Sequence, residues 1–193
     1  MLESANYTDH LTQAIEFGLS KYRVLADSGT SIRGLVLYGK YSRKDVCKVL
    51  NWENEEASTI YGYKIQYKTK PWTCPIFVTY HKSDAIQDSI RYEDTFIDNA
   101  TFSWMTRNGV KLESKEPVVI MDFKTNHMRI PLFVKKSDGE GRDFYYMGDM
   151  EPIKADQQTI KAEGKALPIV NILFHLRTAV RQDIYGYFEN IST

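Results

Sequence analysis

The chain has 193 residues, 42% of them hydrophobic, and its 25 basic side chains are offset by 25 acidic ones. That length supports one sizeable core and fits one domain better than two, while zero formal charge excludes a global positive field that would draw the whole chain to nucleic acid. Any such attraction has to come from local patches.

In chain order, Leu11, Ile15, Leu19 and Tyr22 recur at helical spacing and predict one or two amphipathic helices over 7–25, broken by the glycines of 29–34. Ser42 is a plausible N-cap, with Asp45 in the capping-box place and Val46, Val49 and Leu50 on the apolar side, so a helix is expected to run from there to Trp52. Tyr61, Tyr63, Ile65 and Tyr67 then alternate with Gly62, Lys64, Gln66 and Lys68, a half-buried strand pattern. Further strands are expected over 75–81, 102–107, 118–124 and 130–136. The last is followed by Ser137-Asp138-Gly139-Glu140-Gly141, a turn signal, and an aromatic strand over 143–149, which together predict an antiparallel β-hairpin. Residues 167–176 read as a last strand or a buried helix, and 181–189 as a terminal helix. Helices before and after a run of short strands define an α+β class, with a strongly curved antiparallel sheet or small barrel.

The thirteen Tyr and nine Phe favour strands and ring-lined pockets. Charge is unevenly spread: Lys64, Lys68 and Lys70 stand without an acid, whereas Asp84, Asp88, Glu93, Asp94 and Asp98 oppose only Arg91. Lys124, Arg129, Lys135 and Lys136 outnumber Asp122 before a second acidic stretch of Asp138, Glu140, Asp143, Asp149 and Glu151. Such blocks fit either a molecule with one basic and one acidic face or ordinary solvated loops.

Catalytic signals are scarce. Neither GxxxxGK[ST] nor GxGxxG occurs, and His10, His81, His127 and His175 are too dispersed to suggest ligands. Cys47 and Cys74 are too few for a disulfide framework and lack zinc spacing, so no metal or other cofactor is expected and a reducing, cytoplasmic setting is inferred. No apolar stretch reaches membrane-spanning length, and the polar start is not a signal peptide. Asp122 and Lys124, placed on the expected strand over 118–124, are a faint echo of metal-dependent nucleases. The run Phe102-Ser-Trp-Met-Thr-Arg-Asn-Gly-Val-Lys interleaves rings, hydroxyls and cations. It suits a surface that stacks bases for roughly 1–3 kcal/mol each and attracts phosphates, while the spacing of Phe102 and Trp104 equally fits a buried strand face.

The segment YGKYSRKDVCKVLNWENEEASTIYGY from Tyr38 to Tyr63, Cys74-Pro-Ile-Phe-Val-Thr-Tyr-His-Lys, Tyr92-Glu-Asp, Phe102-Ser-Trp-Met-Thr-Arg, Leu132-Phe-Val-Lys-Lys-Ser-Asp-Gly-Glu-Gly and Phe144-Tyr-Tyr-Met-Gly occur in an order that resembles a domain at the C-terminus of bacterial DEAD/DEAH-box helicases. More narrowly, it is similar to the target-recognition domain of SauUSI-type, modification-dependent (type IV) restriction enzymes. The resemblance covers roughly 35–190. It implies an SRA/PUA-like curved barrel that reads 5-methylcytosine or 5-hydroxymethylcytosine in double-stranded DNA, alongside the helicase and nuclease domains of a bacterial parent enzyme, and is itself non-catalytic. Residues 1–34 would then be a helical linker or adaptor and 35–193 the recognition domain.

A methyl group at cytosine C5 offers only about 0.8 kcal/mol of apolar contact, so turning the base out into a pocket gains more. On the matched motifs, Trp104, Tyr92, Tyr61 and Tyr63 are the stacking candidates. Asp94, with Asp122 behind it, is the candidate acceptor for the cytosine amino group, and Thr79 and Thr106 could orient the base. Arg43, Lys44, Lys64, Lys68, Arg107 and Lys111 are the candidate phosphate contacts. Two other readings stay open: a docking module that touches DNA without reading it, and a degenerate nuclease using Asp122 and Lys124.

Overall fold

A computed structural model describes residues 7–16, 19, 31–32, 34–81, 94–162 and 165–189. The chain divides into two compact units, 1–39 and 40–193. In the first, residues 7–16 form helix α1, and β1 (Ser31–Ile32) pairs antiparallel with β2 (Leu35–Val36). Residues 17–18 and 20–25 of the expected helical stretch lie outside the described residues, as do 29–30 and 33.

The second unit begins with β3 (Lys40–Tyr41) and α2 (Arg43–Val49). The expected capping box is present: the Asp45 backbone N–H donates to Ser42 Oγ at 3.2 Å, and the Ser42 N–H donates back to Asp45 Oδ2 at 3.0 Å. Val46 and Cys47 turn inward. A 3₁₀ turn (Asn54–Thr59) follows, and then β4 (Ile76–His81), β5 (Thr95–Asp98), β6 (Thr101–Met105), α3 (Lys115–Met121), β7 (Pro131–Ser137), β8 (Phe144–Ala162), β9 (Lys165–Leu176) and α4 (Gln182–Glu189).

These strands build one sheet in the order β4-β7-β8-β9-β6-β5, with β3 beside the start of β8. The 19-residue β8 changes partners along its length: Tyr145, Tyr146, Gly148 and Asp149 pair with β7, while Met150 to Ala162 pair with β9. Register shifts between Leu132 and Phe133 and between Pro152 and Lys154 add bulges, which bend strands and increase twist. The sheet curls strongly, and the class is α+β as expected.

Three expectations need correction. The stretch 118–124 is not a strand: 115–121 is α3, with Pro117 in its first turn, where a missing N–H costs nothing. Residues 61–68 form isolated bridges rather than a strand, because Gly62 turns the chain with φ of 79°, a conformation side-chain-bearing residues avoid. The sheet is not wholly antiparallel, since β4 runs parallel to β7. The connection between them passes through β5, β6 and α3, a crossover long enough to return the chain in the same direction.

The core is aromatic. Phe77 stacks on Phe133 at 4.9 Å and 15°, with Phe144 edge-on to Phe77 at 5.2 Å. Across the sheet, Phe96 packs on Phe102 at 4.8 Å and Trp104 on Phe174 at 6.0 Å. One ion pair is buried within it: Arg129 Nε donates to Asp149 Oδ2 at 2.7 Å, and the Tyr146 hydroxyl donates to Asp149 Oδ1 at 2.8 Å. Arg129 and Asp149, counted above as members of opposing charge blocks, therefore neutralise each other inside the protein. Burial, followed by the Asp149 charge, pushes the Tyr146 phenol far up.

Candidate nucleic-acid interface

Strand alternation on β6 turns Phe102 and Trp104 inward, at 0% and 2% exposure, toward Phe174 and Ile172 of β9. At the other side of Trp104, the bend at Gly62 sends Tyr63 inward and leaves Tyr61 outside, 2% against 73% exposed. The Gly62 carbonyl accepts from the Phe77 N–H at 2.7 Å, which fixes this bend against β4. Tyr63 and Trp104, 41 positions apart in sequence, thus meet edge to face with centroids 4.8 Å apart at 90°.

Around this aromatic pair lies a charged arrangement. The Tyr63 hydroxyl donates to Glu116 Oε2 at 2.7 Å, and Arg107 pairs with Glu116 Oε1 through Nη2. The Arg107 guanidinium also lies 4.8 Å from the Tyr63 ring centroid. Burial, and then the hydrogen bond to the Glu116 carboxylate, push the Tyr63 phenol well above its ordinary value. The Glu116 hydrogen bond raises Arg107 in turn. Arg107 is about half-exposed, with 49% of its side chain reaching solvent, so its charge remains available at the surface. Nearby on the same segments, Lys115 lies 4.6 Å over the Tyr67 ring, which meets Trp72 edge-on at 5.2 Å.

The remaining candidates fall as follows. Asp94 Oδ1 accepts from the Met105 N–H at 2.9 Å, tying it to the end of β6 one residue from Trp104. Thr106 is buried: its Oγ1 accepts from the Val170 N–H at 3.0 Å, so its hydroxyl helps to knit β6 to β9. Tyr92 lies outside the described residues. Thr79 sits on β4 opposite Lys135, and its hydroxyl bonds Asp138. Lys64 is engaged by Glu56 at 3.2 Å and by Thr59 Oγ1 at 2.8 Å. Lys44, Lys68 and Lys111 are exposed. Arg43 lies over Phe77 and Phe144.

Sequence reasoning brought forward Trp104, Tyr63 and Arg107 but missed Glu116, which joins two of them. Its signal was Ser114-Lys-Glu-Pro117, a helix start obscured by the β-branched residues after it. Asp122 and Lys124, both exposed, follow α3 rather than lying on a strand. Among the described residues, no group of three His, Cys, Asp or Glu side chains could hold a metal ion. Cys74 is fully buried, which pushes its thiol far above the range of a reactive thiolate. No helix among the described residues is long and apolar enough to cross a membrane.

The chain belongs to the family described as Domain of unknown function (DUF3427), whose model matches residues 35–188. Among solved structures, it shares its fold with the DNA modification-dependent restriction endonuclease AspBHI: TM-score 0.51, 13% identity, 84% of this chain covered. The chain spans about half the length of that protein, 48%. Looser similarities are to SUVH6 of Arabidopsis thaliana, solved in complex with SAM (TM-score 0.49, 10% identity, 79% of this chain and 28% of that one), and to the sulfur binding and SRA domains of ScoMcrA, complexed with phosphorothioated DNA (0.45, 7%, 81% and 46%). No curated protein matches the chain in sequence.

Proposed function

We propose that residues 35–193 read modified cytosine in double-stranded DNA, as the specificity module of a modification-dependent restriction enzyme. The observation that carries this is the cluster in which a half-exposed cation, Arg107, is held over an aromatic ring beside a second, perpendicular ring, Trp104. A cation held at the surface over an aromatic ring suits a phosphate at the cation and a base beside the rings. The fold shared with AspBHI, a DNA modification-dependent endonuclease, supports the same reading.

In this reading the modified base, 5-methylcytosine or 5-hydroxymethylcytosine, is flipped against the Tyr63 and Trp104 side of the sheet, with the exposed Tyr61 as a further ring. Asp94 accepts from the cytosine amino group, and Arg107, Lys111 and Lys68 hold phosphates. The module is itself non-catalytic. A SauUSI-type nuclease and helicase would be its partners in a bacterial cytoplasm, with residues 1–34 as the linker.

The test is binding to paired duplexes that differ only in cytosine modification. A preference for the modified duplex of about tenfold or more is expected, a difference of about 1.4 kcal/mol. Equal affinity for the two sinks the reader and leaves the docking module, whereas metal-dependent cleavage by the pure chain points to the nuclease.

A further inference from the structure

Arg43 opens α2 directly after the Ser42 capping box, and its guanidinium lies over core rings. The guanidinium carbon lies 5.2 Å from the Phe77 ring centroid and 5.0 Å from that of Phe144. The Phe144 ring carries a second cation: Lys135 Nζ is 5.2 Å from its centroid. Lysine is seldom buried, yet Lys135 is 8% exposed.

The two cations differ in how they are satisfied. Lys135 has Asp138 Oδ1 at 2.8 Å and the Gly141 carbonyl at 3.3 Å, and Asp138 also receives the Thr79 hydroxyl. Arg43 lies on the two ring faces, its Nε is shut off from solvent with no hydrogen-bond acceptor, and among the described residues no carboxylate pairs with it. Burial lowers the pKa of its guanidinium, so the protein holds this charge at a cost. A half-buried cation with no counter-charge among the described residues is an arrangement that folded proteins avoid unless something else completes it. Arg43 as a whole stays partly exposed, so solvent reaches the side chain.

We infer that the Arg43 side chain, clamped on Phe77 and Phe144 beside Lys135, is a binding site for a phosphate group. The guanidinium edge is a planar fork matched to two oxygens of one phosphate, a match that an ammonium cannot reproduce. With Lys135 already balanced by Asp138, the site carries one net positive charge, which suits a singly charged phosphodiester. The backbone of DNA and a free phosphate share this chemistry. The site involves none of the side chains around Tyr63, and it stands whether or not that cluster reads a base.

The experiment follows the melting temperature of the full chain as inorganic phosphate replaces chloride at constant ionic strength. The wild-type protein is expected to rise saturably, by about 3 to 6 °C at about ten times the dissociation constant. Arg43→Gln should lose that rise, while substitution of its exposed neighbour, Lys44→Gln, should keep it. Should Arg43→Gln not fold, Arg43→Lys retains the charge over the rings but not the fork, and the rise should fall by at least half. A rise shared equally by wild type and the Arg43 variant, or absent from both, overturns the proposal. An unmodified duplex added at saturation identifies the source. Loss of the phosphate effect assigns the site to the DNA backbone, and its persistence on top of the duplex assigns it to a free phosphate.

Discussion

Glu116→Gln tests whether Arg107 is a surface cation held in reserve by a carboxylate. The substitution keeps a side-chain oxygen for the Tyr63 hydroxyl but removes the charge that Arg107 pairs with. A hydrogen bond to a charged group contributes roughly 1.5–3 kcal/mol and a neutral one about 1, so the Tyr63 contact loses about 1 kcal/mol. The ion pair is partly exposed, 49% on one side and 29% on the other, and solvent screening limits it to roughly 0.2–1 kcal/mol. Together the variant loses about 1 to 2 kcal/mol, or about 2 to 8 °C in melting temperature for a protein of this size. Binding moves the other way. Freed from Glu116, Arg107 can neutralise a phosphate, so affinity for modified and unmodified duplexes should rise by the same factor. The log–log salt slope should steepen by about 0.9. Melting curves and salt-dependent fluorescence anisotropy on the same preparation read both effects. If stability falls while affinity and slope stay as in the wild type, Arg107 is a purely structural cation and the proposed interface loses its central charge.

Other substitutions and conditions probe the phosphate contacts, the buried ion pair and the buried phenols. Lys111→Ala should weaken both duplexes about equally and reduce the salt slope by about one, and Arg107→Ala should weaken both equally with less change in slope because Glu116 already balances its charge, as measured by anisotropy titrations across salt; an altered modified-to-unmodified ratio would place these residues at the base instead. Asp149→Ala should cost roughly 3–5 kcal/mol in chemical denaturation, because it removes the carboxylate that balances the buried Arg129 charge. Alkaline pH should destabilise the fold: burial and the Glu189 hydrogen bond raise Tyr80 from 10.0 to about 12, and Tyr63 and Tyr146 are raised further. The folded state holds these protons after the unfolded chain has released them, so stability is complete below about pH 10 and falls as pH rises through the folded values; Tyr80→Phe should flatten the loss between about pH 10 and 12.

Local signals carried the parts of the fold that local forces decide. The Ser42 and Asp45 box, the 137–141 turn and the alternation of Phe102 with Trp104 each specify structure within a few residues, and each appears where the sequence placed it. What escaped depends on distant partners. Residues 150–162 contain Pro152 and mostly polar side chains, and they are held in β8 by β9 rather than by their own propensity. Val118, Val119 and Ile120 favour strands, yet burial of Ile120 and Pro117 against the core makes this stretch α3. Glu116 was invisible as a site residue for that reason: its role exists only once α3 brings it to Tyr63.

Trp104 lies where the folding and reading roles compete, and the size of the substitution decides which is tested. Its ring is 2% exposed and packed against Tyr63 and Phe174, so Trp104→Ala should cost roughly 3–5 kcal/mol through the cavity left behind. A loss of binding in that variant would report unfolding as readily as a lost base contact. Trp104→Phe keeps a ring in place and removes only part of the volume, so cooperative melting should survive with a modest fall in temperature. If the indole walls the modified base, this variant should bind the modified duplex severalfold more weakly and the unmodified duplex as before. If Trp104 serves only to pack Tyr63, both affinities should stay together, and the stacking ring must be sought at the exposed Tyr61.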